Sequence, residues 1–382
     1  MITNRIMQMA AVLLLPSFVL QPSSLHAQGA LTPAGAPAST MKSLDQIEPR
    51  TPVDAVHTPG FLNIQYAITQ PGSYYLTGNI TSVSNQSGIF IQTNDVTLDL
   101  NGFEMIGNSG YPDAIDVSSL VVRNTVIRNG SLRNWDTGVA ALNGYCELDH
   151  VRVYGCTNYG FDLGDHCTVK NCTAVNNGAD GGADNGKAIQ LGNGCVVTDC
   201  LVSTNAEGIS GGSDCVISGC IVISNQGEGV YLADNCNVSK CIADYNFGGF
   251  QVGNNGQIQQ CTANGNGESG ILTGLGCIIK ACTANSNGFA GIVFNGQALV
   301  MDNMASGNDY GIASQGTGSR IENNQALNNI EYGINSEYGP DVDVVIRNTS
   351  SGNGTANYNP TNSTTFGPLQ QPATATSPWA NF

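Results

Sequence analysis

The chain has 382 residues, 41% of them hydrophobic and only 11% charged, with 48 glycines and a net charge of −16. So much apolar residue excludes a highly charged disordered chain. Thirteen basic residues against 29 acidic ones exclude the clustered positive surface that nucleic-acid binding requires.

Residues 1–27 read as a secretory signal peptide. Arg5 supplies the positive start, Ala10 to Leu15 and Phe18 to Leu20 the apolar centre, and Leu25-His26-Ala27 a cleavage site. Pro16 interrupts the apolar run, which is too short for a membrane span. The expected destination is outside the cytoplasm: secreted, periplasmic or on the cell surface. Residues 28–41 are rich in Ala, Pro and Gly and read as a linker. Residues 42–85 are expected to form an N-terminal cap and first strands, with a short helix and an extended segment over residues 43–60.

From about residue 86 to 353 the chain repeats. Cys172, Cys200, Cys220, Cys241, Cys261 and Cys282 form one column, which Asn303, Asn324 and Asn348 continue. Five residues later runs a second column from Asn177 and Asn205 to Asn353, and five residues earlier a third, from Cys146 to Cys277. A Gly-apolar pair follows each Asn, as in Gly208-Ile209 and Gly291-Ile292. Each period of 20–28 residues holds three short apolar runs punctuated by Gly and Asn. Such runs are too short and too Gly-rich for helices. They predict an all-β parallel β-helix solenoid of about twelve coils, with like residues stacked at the inter-strand spacing of about 4.8 Å. Asn suits the corners, because it tolerates left-handed φ and can hydrogen-bond to the coils above and below. Residues 354–382 are expected to cap the far end, with Phe366, Leu369, Trp379 and Phe382 docking on the last coil.

The opening coils carry Ile68-Thr69-Gln70-Pro71-Gly72-Ser73-Tyr74-Tyr75-Leu76-Thr77-Gly78-Asn79-Ile80, then Gly88-Ile89-Phe90-Ile91 and Asp95-Val96-Thr97-Leu98-Asp99-Leu100-Asn101-Gly102. Over roughly residues 42–382 the chain resembles secreted bacterial proteins with right-handed parallel β-helix repeats, of the pectate-lyase-like superfamily. The resemblance implies the fold firmly and the activity weakly, since that group holds lyases, hydrolases, epimerases, tailspikes and adhesins.

The thirteen cysteines suit interior ladders, where the thiol acts as a small apolar group. Disulfides remain an alternative in an exported chain. Zinc is disfavoured, because the repeated C-x4-C pairs lack a closed four-ligand grouping.

Strand alternation places Ala140, Asp162, Gln190, Ser210, Tyr231, Gln251, Leu272, Val293, Ala313 and Asn335 outward. Asp162 is the one carboxylate in that column. This is too few for the paired acids of a hydrolase or the ligands and base of a calcium-dependent lyase. Asp165 and His166 follow Asp162 at the next corner. A coil later, an insertion carries Asp180, Asp184 and Lys187 on a loop, where function often lies. These six residues are the candidate catalytic set. No organic cofactor is expected, and calcium is the ion that Asp162, Asp184, Glu207 and Glu228 would suit. The leading expectation is an exported monomer serving as a non-catalytic binding or structural module. The alternative is a lyase, hydrolase or epimerase acting on acidic polysaccharide, and polysaccharide is the expected partner in either case.

Overall fold

The computed structural model describes residues 50–83, 85–108, 112–117, 122–178, 186–336, 343–360 and 365–382. The segments expected to be a signal peptide and a linker, and most of the 179–187 insertion, lie outside these residues.

The structure is an all-β parallel solenoid. One sheet of fourteen strands, the Gly-Ile sheet, starts at Ile64–Ile68 and ends at Ala356–Pro360, one strand per coil. A second sheet of 26 strands contains the two ladders that follow the cysteine columns. They merge because Thr125–Arg133 and Cys146–Tyr154 run through both. Fourteen coils replace the twelve expected. Ile64–Ile68 pairs with Ser87–Ile91, and Ala356–Pro360 pairs with Tyr332–Ser336, so the ladder runs past both ends of the marked repeat. At the coil spacing the rod is roughly 60 Å long. The expected helix over residues 43–60 is absent from the described residues. Thr51–Pro52 is instead a strand paired with Tyr74 and Tyr75.

The interior is built from stacked copies of the same position. Ile189, Ile209, Val230 and Phe250 succeed each other in register and are almost fully buried. Apolar burial drives the stacking, but buried polar groups set the register.

Asn205 shows how. Its Oδ1 accepts the backbone N–H and the amide of Asn177, while its Nδ2 donates to Ala174 O, Ser203 O and Asn225 Oδ1. The same pattern repeats through Asn225, Asn246, Asn266, Asn287, Asn308 and Asn329 to Asn353. Glycine makes room for it. At Gly229 a Cβ would lie 2.8 Å from Asn246 Nδ2 and 2.8 Å from Gly249 O.

All thirteen cysteines are free, buried thiols. Their sulfurs perform part of the amide's task, since Cys241 Sγ accepts the backbone N–H of Cys220 at 3.4 Å. Where the column changes chemistry, Asn303 Oδ1 accepts the N–H of Cys282 at 2.8 Å, so Cys and Asn interchange because both satisfy the same donor. Burial pushes the Cys156 thiol up to about 12, so it stays protonated and unreactive.

The Asn column ends in the tail. Asn381 Oδ1 accepts the N–H of Asn348, and Asn381 Nδ2 donates to Val345 O and Gly367 O. Leu369 is exposed and Trp379 stacks under Arg347, while Phe366 packs edge-on against Tyr358. The tail therefore holds the last coil mainly by supplying the next amide, and only partly by the apolar docking expected.

Candidate active site on the outer face of the Gly-Ile sheet

Pairing in the Gly-Ile sheet fixes the outward column as Ala67, Phe90, Asp116, Ala140, Asp162, Gln190, Ser210, Tyr231, Gln251, Leu272, Val293, Ala313, Asn335 and Asn359. Asp162 is thus not the only carboxylate in it. Asp116 stands two coils earlier, separated from it by the small Ala140. Asp113 and Asp136 lie at the corners that lead into the first two of these strands.

Asp113 feels the other three carboxylates. Burial raises Asp113 to about 7, and the charges of Asp116, Asp136 and Asp162 add to the effect, while a hydrogen bond with Thr137 opposes it. Burial also raises Asp162, and the Lys187 charge opposes that rise. Thr157 Oγ1 donates to Asp136 Oδ1 at 2.9 Å and orients that carboxylate. Tyr159 is raised, first by burial and then by Asp162, Glu207 and Asp136, so its hydroxyl remains a proton donor beside the acids. Trp135 forms the buried floor next to Asp136, its Nε1 donating to Met105 O at 3.0 Å.

Lys187 is the only Lys or Arg in the fourteen described strands of this sheet. Its Nζ donates to Ser210 Oγ at 3.0 Å and lies 3.3 Å from Glu207 Oε2.

The six candidates named from the sequence therefore separate. Asp162 and Lys187 belong to the outer face. Asp165 is a corner residue whose Oδ1 accepts the N–H and side-chain amide of Asn193, one coil on. His166 turns to a groove on the other sheet and stacks on Tyr145. Asp180 and Asp184 lie outside the described residues.

Glu207 is occupied by Lys187, while Glu228 is raised by burial and then by Glu268 and Glu207. Among the described residues no three His, Cys, Asp or Glu side chains are arranged to hold a metal ion. His57 and His150 pair locally with Asp54 and Asp149.

Beyond the acids, the face changes character. A groove of about 460 Å³ is lined by Tyr231, Asp234, Gln251, Leu272, Asn295 and Gln315 among others. Further on, Val293 and Ala313 are buried despite pointing outward. They pack with Ala290, Leu272 and Tyr310 into a small apolar cluster. Phe289, Tyr310 and Tyr332 follow one another beside it, with ring centroids 5.4 and 5.9 Å apart.

The right handed beta helix region family matches residues 67–210 and 167–259, and the chain belongs to that family. Two solved structures share the fold. One is the A-module of the mannuronan C-5 epimerase AlgE6 of Azotobacter vinelandii, with a TM-score of 0.55 and 15% identity. That match covers 75% of this chain and 91% of the other. The second is the A-module of the mannuronan C-5 epimerase AlgE4 of the same organism, with a TM-score of 0.53 and 15% identity over 77% and 91% of the two chains. At that identity the likeness establishes the fold and says nothing of activity. No curated protein matches the sequence.

Proposed function

We propose that the chain is an exported carbohydrate-active β-helix that hydrolyses a polysaccharide held along the outer face of the Gly-Ile sheet. The observation that carries this reading is the convergence of Asp113, Asp116, Asp136 and Asp162 on neighbouring coils of one face. Glycosidic hydrolysis needs one carboxylic acid that keeps its proton near neutral pH and one carboxylate that is ionised. Asp113 fits the acid, donating its proton to the glycosidic oxygen. Asp162, raised by burial with the Lys187 charge opposing that rise, is the member of the set placed for the base or nucleophile. Tyr159 and Thr137 would orient the sugar and the acid.

Hydrolysis of a neutral glycan suits the face better than the elimination or epimerisation of an acidic one. Those reactions need positive charge at the sugar carboxylate. The one basic side chain in the described strands of the Gly-Ile sheet is already held by Glu207 and Ser210. Four carboxylates would also repel a polyuronate.

The groove beyond the acids supports a second reading, a binding module without catalysis. Its amides and Tyr231 could hold sugar hydroxyls without any acid–base pair.

Incubation with a panel of neutral and uronic-acid polysaccharides, with and without calcium, separates the readings. New reducing ends from a neutral glycan, lost in Asp113→Asn and Asp162→Asn, support hydrolysis. Binding without product supports the module. Unsaturated product from a uronate polymer overturns the assignment.

A further inference from the structure

The corner that opens the cysteine ladders favours a few residue types. Its left-handed position is held by Asp95, Asn124, Gly194, Asp214, Asn235, Asn255 and Gly276, the residues that tolerate positive φ best. Three coils depart from it, with Tyr145 at φ 56° and His166 at φ 58° on successive coils and Gln297 at φ 51° further on. Tyr145 and His166 bring two aromatic rings onto adjacent coils at this corner.

The two rings stack, with centroids 5.0 Å apart and planes 11° from parallel. The Arg123 guanidinium covers the other face of Tyr145, 4.5 Å from its centroid. Among the described residues that guanidinium forms no ion pair or hydrogen bond. The nearby carboxylates are engaged elsewhere. Glu147 pairs with Lys170 at 2.6 Å, and Asp95 accepts from Asn124 at 2.7 Å.

The stack forms one side of a groove of about 300 Å³, completed by Thr125, Val126, Glu147 and Thr168. This is the lower end of small-ligand sites and suits one sugar-sized unit.

We infer that this groove binds a hexuronate unit, a six-membered sugar bearing a carboxylate. Both faces of Tyr145 are covered, so a ligand meets the edges of the stack. The Arg123 guanidinium over Tyr145 also lines the groove, where its N–H groups suit a carboxylate. The Tyr145 hydroxyl, the His166 imidazole, the threonine hydroxyls and Glu147 provide donors and acceptors for ring hydroxyls. The inference does not depend on hydrolysis at the Gly-Ile sheet, because the two sites lie on different sheets and share no residue.

The test is saturation-transfer NMR on the full chain with sodium glucuronate, glucose and a glucuronate oligomer, with sodium sulfate as competitor. The expected result is transfer to glucuronate at about 10 mM, none to glucose, and no displacement by equimolar sulfate. A free sugar acid as the natural ligand predicts equal affinity for monomer and oligomer. A uronate within a polymer predicts tighter binding of the oligomer. Arg123→Gln and Tyr145→Asn should each weaken binding about ten-fold or more. Tyr145→Asn installs the residue the corner normally uses, so its melting temperature should hold or rise, which separates lost binding from lost folding. Equal transfer to glucose, displacement by sulfate, unchanged binding in both variants, or no transfer to glucuronate in the wild type would each overturn the inference.

Discussion

The outer face of the Gly-Ile sheet is two surfaces on one backbone. Over strands Ile115–Asp116 to Phe161–Leu163 it gathers four interacting carboxylates. Over Ile271–Thr273 to Tyr310–Ser314 the same outward position carries Leu272, Val293 and Ala313, closed into an apolar cluster. Behind both halves stacked apolar residues fill the core, with the Asn ladder behind the apolar half and Trp135 and Cys156 in its column behind the acids, where Cys156 N–H donates to the first amide, Asn177 Oδ1, at 3.0 Å. The solenoid is thus fixed by its inward positions, which leaves each outward position free to take chemistry of its own.

Moving the acid chemistry to the apolar half should have the largest effect. Val293 is 1% exposed, and Val293→Asp would bury a carboxylate without a partner. We expect a loss of about 3–5 kcal/mol in chemical denaturation. A near-neutral result would show that the apolar cluster opens to water.

The inner ladder should ignore the distinction. Asn205, two coils past Asp162, and Asn308, in the apolar half, sit at equivalent places of the ladder, each fully buried. Asn205→Ala and Asn308→Ala should each cost about 2–4 kcal/mol, because each leaves buried backbone donors and acceptors unpaired. Clearly unequal losses would tie the ladder to the outer face.

A smaller and pH-dependent gain is expected at Asp113. Its pKa rises from 3.8 to about 7 on folding, so the folded state holds more protons between those values. Stability therefore falls as pH rises through that window, and above pH 7 the full penalty is present. Asp113→Asn should raise stability by about 1–3 kcal/mol at pH 8 and by nothing below about pH 4. A gain independent of pH would assign the effect to packing.

The smallest change is expected for Lys187→Met. It removes the charge that opposes the raised pKa of Asp162, so the titration of Asp162 should move further up. Movement downward would place Asp162 under other control.

The repeat is legible in the sequence because interior ladders tolerate few residue types, so Cys, Asn and Gly-Ile recur in register. The acid cluster is legible only at Asp162. Cys and Asn markers begin near Cys146, and the coils before it lack them, which hides Asp116 from the outward column. The signal is present in Ala114-Ile115-Asp116, which repeats the small–Ile–outward order of Gly88-Ile89-Phe90 with Ala in place of Gly. Asp113 and Asp136 are corner residues, and the effect of Asp116, Asp136 and Asp162 on Asp113 comes from stacking and burial, which spacing does not encode. Strand alternation places Val293 outward correctly, but its burial depends on the neighbouring Leu272 and Tyr310, one coil away on either side. The stack of Arg123, Tyr145 and His166 is hidden from the regular columns, because this corner is informative where it departs from them.

The central claim is that the carboxylates of the outer face act as one acid–base unit with Asp113 as its protonated member. Carbon-detected NMR titration of the aspartate carboxyls, assigned with Asp113→Asn, tests it most directly. The account predicts an Asp113 midpoint near 7, which moves down when Asp116 or Asp162 is replaced by Asn. A midpoint near the ordinary 3.8, unaffected by those replacements, would contradict it.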